Sequence, residues 1–509
     1  MNNKKDNTVF NFSLVMVLTV VATGILNPDL LMRISQTVYT QIITSFGWGY
    51  LTATFFFLCF CLFLAFSRFG NIKLGKDHEK PRYSYFGWFS MLFAAGMGIG
   101  LIFWGVAEPM SHYLNPPAYL ADSSGSSAEF AMTRSFFHWG VQPWAIYIVM
   151  SLSIAFFSFR RGMPPLISSC FYPLIGDRIY GIIGYIIDIL AVFATIFGIA
   201  TSLGFGALQI SSGLGMVFSF QVNSTVYLTL ISVITVLFLA SSMTGLDKGI
   251  QFMSKLNILL ATCLMLFMLT VGPTFYILDV FTSTTGDFLS SFLDMSLSSN
   301  PFKGYDWTHS WTLFYWAWWI SWSPFVGLFV ASISRGRTVR EFVLGALTVP
   351  TIFTFVWFSV FGGSAFHLEL GSSPGIAQTI AQNIETGLFE LYSYYPMSTL
   401  LTLVTILLLI VFFITSADSA TYVLAMMTSN GDLEPHASRK IIWGFTESAV
   451  AAILLLSGGL DALQKMAIAA ALPFTIIMVL MCRSLYSGMK YDMSEGNFTG
   501  PEDIPLQDY

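Results

Sequence analysis

Residues 84–106 read SYFGWFSMLFAAGMGIGLIFWGV, a run of 23 positions without a charged side chain. As a helix such a run is long enough to cross the ~30 Å hydrocarbon layer of a bilayer. It also carries Gly96, Gly98 and Gly100 at spacing two, and each glycine disfavours a helix interior by about 1 kcal/mol relative to alanine. In lipid, backbone groups released by a break must be taken up by protein or by a water-lined cavity. The segment therefore reads as an interrupted membrane helix. Transporters place their binding sites at such interruptions.

The rest of the chain agrees with a membrane setting. The 509 residues are 55% hydrophobic and 10% charged, with a net charge of −5. A soluble domain of ordinary composition carries roughly 25% charged residues, so a water-facing surface cannot be covered here. No basic face points to nucleic acid. Twelve apolar runs qualify as spans: 8–28, 46–67, 84–106, 133–159, 179–212, 224–243, 246–275, 308–333, 343–366, 398–428, 438–457 and 460–482. With the N-terminus inside, 18 Lys and Arg fall on the inner side and 4 on the outer, with Lys255 inside a span. That bias is the positive-inside rule, and both termini are expected to be cytoplasmic. The first run is expected to be a retained helix, since no small-residue cleavage site follows it. Segment 277–293 reads as an amphipathic helix on the membrane surface. The five cysteines lie in or beside apolar runs, without metal or disulfide spacing.

A second possible interruption is SWSPFVG at 321–327 in the eighth span, where Pro324 removes a helical hydrogen bond. Breaks at spans 3 and 8 suggest two five-helix repeats, 3–7 and 8–12, of inverted topology. The expected organisation is 1–83 for the tail and helices 1–2, 84–276 for the first repeat, and 277–307 for the surface helix and loop. Residues 308–484 then form the second repeat and 485–509 a short acidic tail.

Six of the thirteen tryptophans fall in 307–322. Trp307 and Trp311 are expected at the outer interface as an aromatic belt. Tyr315, Trp319 and Trp322 share a helical face, and Trp318 stands four residues before Trp322. The fourth span adds Trp144 and Tyr147 on one face. Trp139 is offset by about 140° on an ideal helix, unless Gly140 and Pro143 distort the turn. Ring faces attract cations, and several rings suit a methylated ammonium that has no N–H to donate. No carboxylate stands within these aromatic runs. The backbone at Gly98, Ile99 and Gly100 is expected to receive a carboxylate. Thr195, Thr201-Ser202 and the cluster Thr415–Ser419 offer hydroxyls for Na⁺, although membrane Ser and Thr often bond back to their own helix. Among intramembrane ionisable residues Asp418 is the functional candidate, whereas Asp188, Glu447 and Lys255 are expected to pair or to snorkel.

On these residues the sequence resembles the betaine/choline/carnitine transporter family. The matching stretches are FAAGMGIGLIFWGVAEP at 93–109, FHWGVQPWAIY at 137–147, FATIFGIATSLGFGA at 193–207, WTLFYWAWWISWSPFVGLFVASISRGRTVREF at 311–342 and FFITSADSA at 412–420. The resemblance implies an all-α integral membrane fold of twelve helices with LeuT-type inverted repeats. It implies a homotrimer in the bacterial cytoplasmic membrane and uptake of a quaternary-ammonium solute, as in osmoprotection. By position, Trp139, Trp144, Tyr147 and Trp319 resemble the central box, Trp318 and Trp322 adjoin it, and Phe314 and Phe325 match aromatic gates. Ala94, Met97, Thr415 and Ser416 resemble one Na⁺ site and Thr195 part of a second. Ile199 stands where the family has the second hydroxyl of that site, with Thr201 a possible substitute. Gly100 and Asn257 replace the aspartate and arginine of proton-coupled and Na⁺-independent members, so Na⁺ is the expected coupling ion and no other cofactor is implied. Arg335, Arg337 and Arg340 match a loop signature. The alternatives are a Na⁺-independent exchanger or a proton-coupled carrier of carnitine- or choline-type solutes. No filter motif suggests a channel, and neither HExxH nor GxSxG suggests an enzyme.

Overall fold

The computed structural model describes residues 7–96, 98–244 and 247–495. The long helices are α1 (Thr8–Leu26), α2 (Pro28–Phe66), α3 (Tyr85–Gly96), α4 (Gly98–Leu114), α5 (Gly125–Trp139), α6 (Val141–Ala155) and α7 (Ile182–Phe218). They continue with α8 (Ser224–Thr244), α9 (Asp247–Val271), α10 (Thr274–Leu297), α11 (Thr312–Ile333), α12 (Val339–His367), α13 (Ser398–Met427) and α14 (Ala437–Glu495). Among the described residues the only β-type pairing is an isolated bridge, Lys73 to Thr338. Ten described helices are long and apolar enough to cross a membrane, or eleven when the bent pair α3/α4 is taken as one span. The protein is an all-α, multi-pass membrane protein.

Local chemistry sets the helix ends. Asn27 separates α1 from α2; its side chain accepts from Leu30 N, and Pro28 opens the next helix, where its missing N–H costs nothing. Ser124 with Ser127, and Thr338 with Glu341, form reciprocal caps at the starts of α5 and α12. Inside α14, Gly459 adopts φ 59° and ψ −138°, and this joint divides the 59-residue helix into two segments. The expected boundary between 457 and 460 falls there.

Burial separates centre from periphery. The best membrane window is 94% buried in Gly125–Arg160 and 89% in Asp306–Ile333, against 22% in Thr8–Leu26. Thus α5/α6 and α11 form the middle, packed against α7 and α14, while α1, α8 and α9 face outward. Expected helix 277–293 is α10. It buries Ile277, Thr284, Phe288 and Met295 and exposes Phe275, Leu289 and Leu293.

Several boundaries differ from expectation. α2 begins at Pro28 rather than 46, α4 extends two turns beyond 106 to Leu114, and α14 runs to Glu495 where a tail was expected. The end of α14 is tied down, because Asp492 pairs with Arg160 (2.8 Å) and Arg161 (2.7 Å). The same end of the bundle holds Arg335 against Glu79, Arg337 over the Trp88 ring at 4.1 Å and Arg340 on the Ala65 carbonyl at 2.9 Å. The three loop arginines clamp segment 65–88.

Candidate functional site

The fourth span is broken where Gly140 takes ψ −137° between α5 and α6. A helix interrupted there, with Pro143 following, loses the backbone donors for the carbonyls of His138 and Trp139. Side chains from two other helices replace them. Trp319 Nε1 of α11 donates to His138 O at 3.1 Å, and Thr354 Oγ1 of α12 donates to Trp139 O at 3.0 Å. The break therefore orients Trp139 and anchors the Trp319 ring. Trp139 then reaches the other rings of the fourth span through Trp319, which contacts both Trp139 and Tyr147.

The rings meet as one buried cluster. Trp139 lies edge-to-face with Trp319 at 4.9 Å, Tyr147 with Trp319 at 6.2 Å, and Trp144 with Tyr147 at 5.7 Å. Trp318 stacks on Trp319 at 4.6 Å, and Trp322 approaches Tyr147 at 6.4 Å. The four residues expected in the central box and the two expected beside it thus lie in one cluster. Phe314 stacks on Trp318 one turn earlier, and Phe325 meets Trp322 edge-on one turn later, so the two expected gates lie at opposite ends of the tryptophan row.

The glycine stretch forms the facing wall. Tyr85–Phe93 and Gly98–Leu114 are bent by 64°. A Cβ on Gly96 would lie 2.5 Å from Trp144, and one on Gly100 would lie 2.5 Å from Trp318 and 3.0 Å from Trp139. These glycines are required for close approach of the indoles to the backbone. The Gly98 position faces Phe412 and Ser416 Oγ of α13, at 3.5 and 3.8 Å from a built Cβ. The Ile99 side chain turns to Gly206 of α7, which leaves only its backbone for the centre. Met97 lies outside the described residues, and Ala94 is described only by its place in α3.

Several expectations need correction. The eighth span is not broken: α11 runs unbroken from Thr312 to Ile333 through Pro324. The carbonyl that Pro324 leaves free, Ile320 O, accepts from Ser323 Oγ at 2.8 Å. Trp307 and Trp311 do not form an outward belt. Both are half-buried and turn their rings onto His112, at 4.8 and 4.5 Å.

Nor is the site built of rings alone. Glu108 of α4 is fully buried behind them. Its Oε2 accepts from Trp139 Nε1 at 2.7 Å and from the Tyr315 hydroxyl at 2.5 Å. Its Oε1 lies 2.7 Å from His138 Nδ1 and 3.2 Å from His112 Nε2. His138 Nε2 meets Thr312 Oγ1 at 2.9 Å. No two histidines show ligand spacing in the sequence, yet the fold places His112, His138 and Glu108 with ligand atoms within 4.8 Å. The available signal was Glu108 and His112 at i, i+4; ending the third span at 106 left both outside the membrane count.

The hydroxyl candidates divide. Thr195 and Thr415 bond back to Ala191 O (2.7 Å) and Val411 O (2.9 Å) of their own helices. Thr201 donates to Phe197 O (2.8 Å) and Leu463 O (3.2 Å). Ser416 Oγ lies beside the glycine break, 3.8 Å from a Cβ built on Gly98. Asp418 faces away and accepts from Ser241 of α8 at 2.7 Å. Asp188 takes the Ser168 backbone N–H and hydroxyl, Glu447 takes the Thr421 hydroxyl, and Lys255 is exposed. Asp188 is thus paired as expected, whereas Glu447 Oε2 has no partner among the described residues. Asn257 is buried with both amide atoms unpartnered among the described residues.

The cluster also holds donors without acceptors. Trp144 Nε1, Tyr147 OH, Trp318 Nε1 and Trp322 Nε1 are buried and have no hydrogen-bond partner among the described residues. Each buried orphan costs about 1–3 kcal/mol. Ring faces plus unpaired donors make a surface that accepts a cation and an oxygen acceptor in one molecule.

The sequence profile of the betaine/carnitine/choline family transporters matches residues 8–494. The chain is 48% identical to the glycine betaine transporter OpuD of Bacillus subtilis (strain 168), over 97% of this chain and 96% of that one. It is 43% identical to a probable glycine betaine transporter of Desulfitobacterium hafniense (strain Y51), over 96% of this chain and 99% of that one. An ectoine/hydroxyectoine transporter of Virgibacillus pantothenticus is also 43% identical, over 94% of this chain and 95% of that one.

Proposed function

We propose, from the premise that this chain belongs to the betaine/carnitine/choline transporter family, that it takes up a quaternary-ammonium zwitterion such as glycine betaine by Na⁺-coupled alternating access. The observation that carries this reading is the buried cluster of indole and phenol rings in which Trp144 Nε1, Tyr147 OH, Trp318 Nε1 and Trp322 Nε1 lack acceptors among the described residues. The faces of Trp139, Trp144, Tyr147 and Trp319 supply cation–π contacts worth about 0.5–2 kcal/mol each. The unpaired donors of Trp144, Tyr147, Trp318 and Trp322, with the backbone of Gly98, Ile99 and Gly100, supply the carboxylate end. Phe314 and Phe325 close the two ends of the row.

For Na⁺, the supporting feature is the approach of Ser416 to Gly98. With the Ala94 and Met97 carbonyls and Thr415, Ser416 would form hard oxygen ligation at the break, and Thr195 would belong to a second site. Na⁺ bound there stabilises the bent α3/α4 arrangement that receives the solute, so ion and solute bind with positive coupling. The same reading carries twelve spans with both termini cytoplasmic, inverted repeats 3–7 and 8–12, a homotrimer and the bacterial inner membrane.

Binding of glycine betaine, carnitine, choline and ectoine to purified protein, followed by uptake into proteoliposomes with and without a Na⁺ gradient, tests both halves. Preference for glycine betaine with Na⁺-driven accumulation is expected. Equal uptake with and without the gradient overturns Na⁺ coupling. Preference for ectoine, whose amidinium donates N–H bonds, overturns the solute assignment.

A further inference from the structure

Among the described residues, Glu108 is the carboxylate that hydrogen-bonds the ring cluster, through Trp139 and Tyr315. Its distribution of partners is informative. Trp139 Nε1–H can only donate, and it does so to Oε2 at 2.7 Å, beside the Tyr315 hydroxyl at 2.5 Å. On the other oxygen, His138 donates Nδ1–H at 2.7 Å when its Nε2 accepts the Thr312 hydroxyl at 2.9 Å. Glu108, His138 and Trp139 are fully buried, and the Arg134 guanidinium lies over the rings of Phe130, Phe137 and Trp307. Oε1 is thus held by His138 and His112, while Oε2 is aimed at the edges of Trp139 and Tyr315. Those rings lie 5.8 Å apart and both contact Trp319, at 4.9 and 6.0 Å.

Two consequences follow. A carboxylate holding two ring edges fixes the directions of both faces. It also draws positive charge toward each N–H or O–H edge and leaves the opposite π face richer in electrons, and that face is the surface a cation uses. Resting on the functional reading above, we propose that Glu108 is the positioning residue of the cation site. It sets the orientation of Trp139 and Tyr315, strengthens their faces and so selects a positively charged headgroup over a neutral one of equal shape.

The test compares glycine betaine with its carbon isostere 3,3-dimethylbutanoate, which keeps the carboxylate and the three methyl groups but lacks the charge. Affinities are measured by calorimetry on full-length protein in detergent for wild type, Glu108→Gln, Glu108→Asp, Trp139→Phe and the Glu108→Gln/Trp139→Phe double variant. Glu108→Gln is expected to weaken betaine about 10- to 100-fold, the scale of a lost charge-assisted hydrogen bond, and to lower the betaine-to-isostere ratio. Glu108→Asp is expected to restore part of that ratio. Because Phe keeps a ring but has no N–H, the double variant should lose less than the product of the single losses. Independent, multiplicative losses, or equal losses for betaine and isostere, overturn the proposal. If Glu108→Gln does not fold, Trp139→Phe and Tyr315→Phe each delete one bond to Oε2 while keeping the carboxylate. A betaine-to-isostere ratio unchanged in both also overturns it. Failure of the functional reading is separate: wild type then shows no betaine affinity for any variant to lose.

Discussion

Two central spans each carry a proline, and they respond differently. Around Pro143 the chain breaks between α5 and α6; around Pro324 it continues as α11. In both places the carbonyl that proline leaves free is recovered by a hydroxyl, Thr354 on Trp139 O and Ser323 on Ile320 O. The difference is Gly140, whose ψ of −137° releases a second carbonyl, His138 O, for Trp319 to bond. Proline alone perturbs one hydrogen bond. Glycine beside it turns the perturbation into a joint that ties two helices together through a ring of the aromatic cluster.

The largest expected effect comes from cutting that tie. Trp319→Leu removes a cation–π face and the donor to His138 O, and betaine affinity should fall at least about 30-fold, the equivalent of about 2 kcal/mol. Trp48→Leu, a change at a tryptophan 64% exposed, should leave affinity unchanged in the same titration. Equal losses would mean that the cluster acts as packing. Next is Gly140→Ala. A Cβ there would lie 2.6 Å from Phe136 O and 3.3 Å from Phe355, and overpacking of this kind costs about 1–3 kcal/mol. Thermal unfolding in detergent should move down, together with a roughly tenfold loss of affinity.

The unbroken helix supplies the contrast. Ser323→Ala orphans Ile320 O and should cost about 1 kcal/mol of stability, whereas Ser323→Ala combined with Pro324→Ala restores a backbone donor and should recover most of it. Both proteins should bind betaine within about threefold of wild type, a difference of under 1 kcal/mol. The smallest effect lies at the charged end, where the bond from Arg335 holds Glu79 below its ordinary 4.5. A lowered carboxylate adds stability above its unfolded value and loses it as pH falls through the folded value. Glu79→Gln should therefore remove a slight acid-side slope in the stability profile below about pH 4.5 and cost only ~0.2–1 kcal/mol at neutral pH.

Much of this was legible because the signals are local. The uncharged runs mark the membrane segments, Gly96–Gly100 marks the bend, and the joint near 459 was expected from hydropathy. The box residues were legible individually, but how Trp139 joins Trp144 and Tyr147 depends on a dihedral at Gly140 that residue spacing only suggested. Glu108 was missed for a physical reason. Its partners lie 30, 31 and 207 residues away for His138, Trp139 and Tyr315, and only the fold shows that a carboxylate two residues past an expected membrane boundary faces inward. The break expected at Pro324 failed in the opposite direction. Proline announces a lost bond, and it does not say whether the neighbouring serine replaces it.

Gly459 illustrates a different demand from the central glycines. At Gly96 and Gly100 any added carbon collides with an indole, so the requirement is for empty volume. At Gly459 a Cβ would meet nothing within 4 Å, and the obstacle is φ of 59° with ψ of −138°. The mirror image of that pair, near −59° and 138°, is ordinary polyproline-type backbone. A D-alanine placed there by chemical ligation would fit without strain, while L-alanine would not. The turn inside the last helix is specified by handedness alone, and the wall facing the aromatic cluster by size alone, with the same residue type meeting both demands.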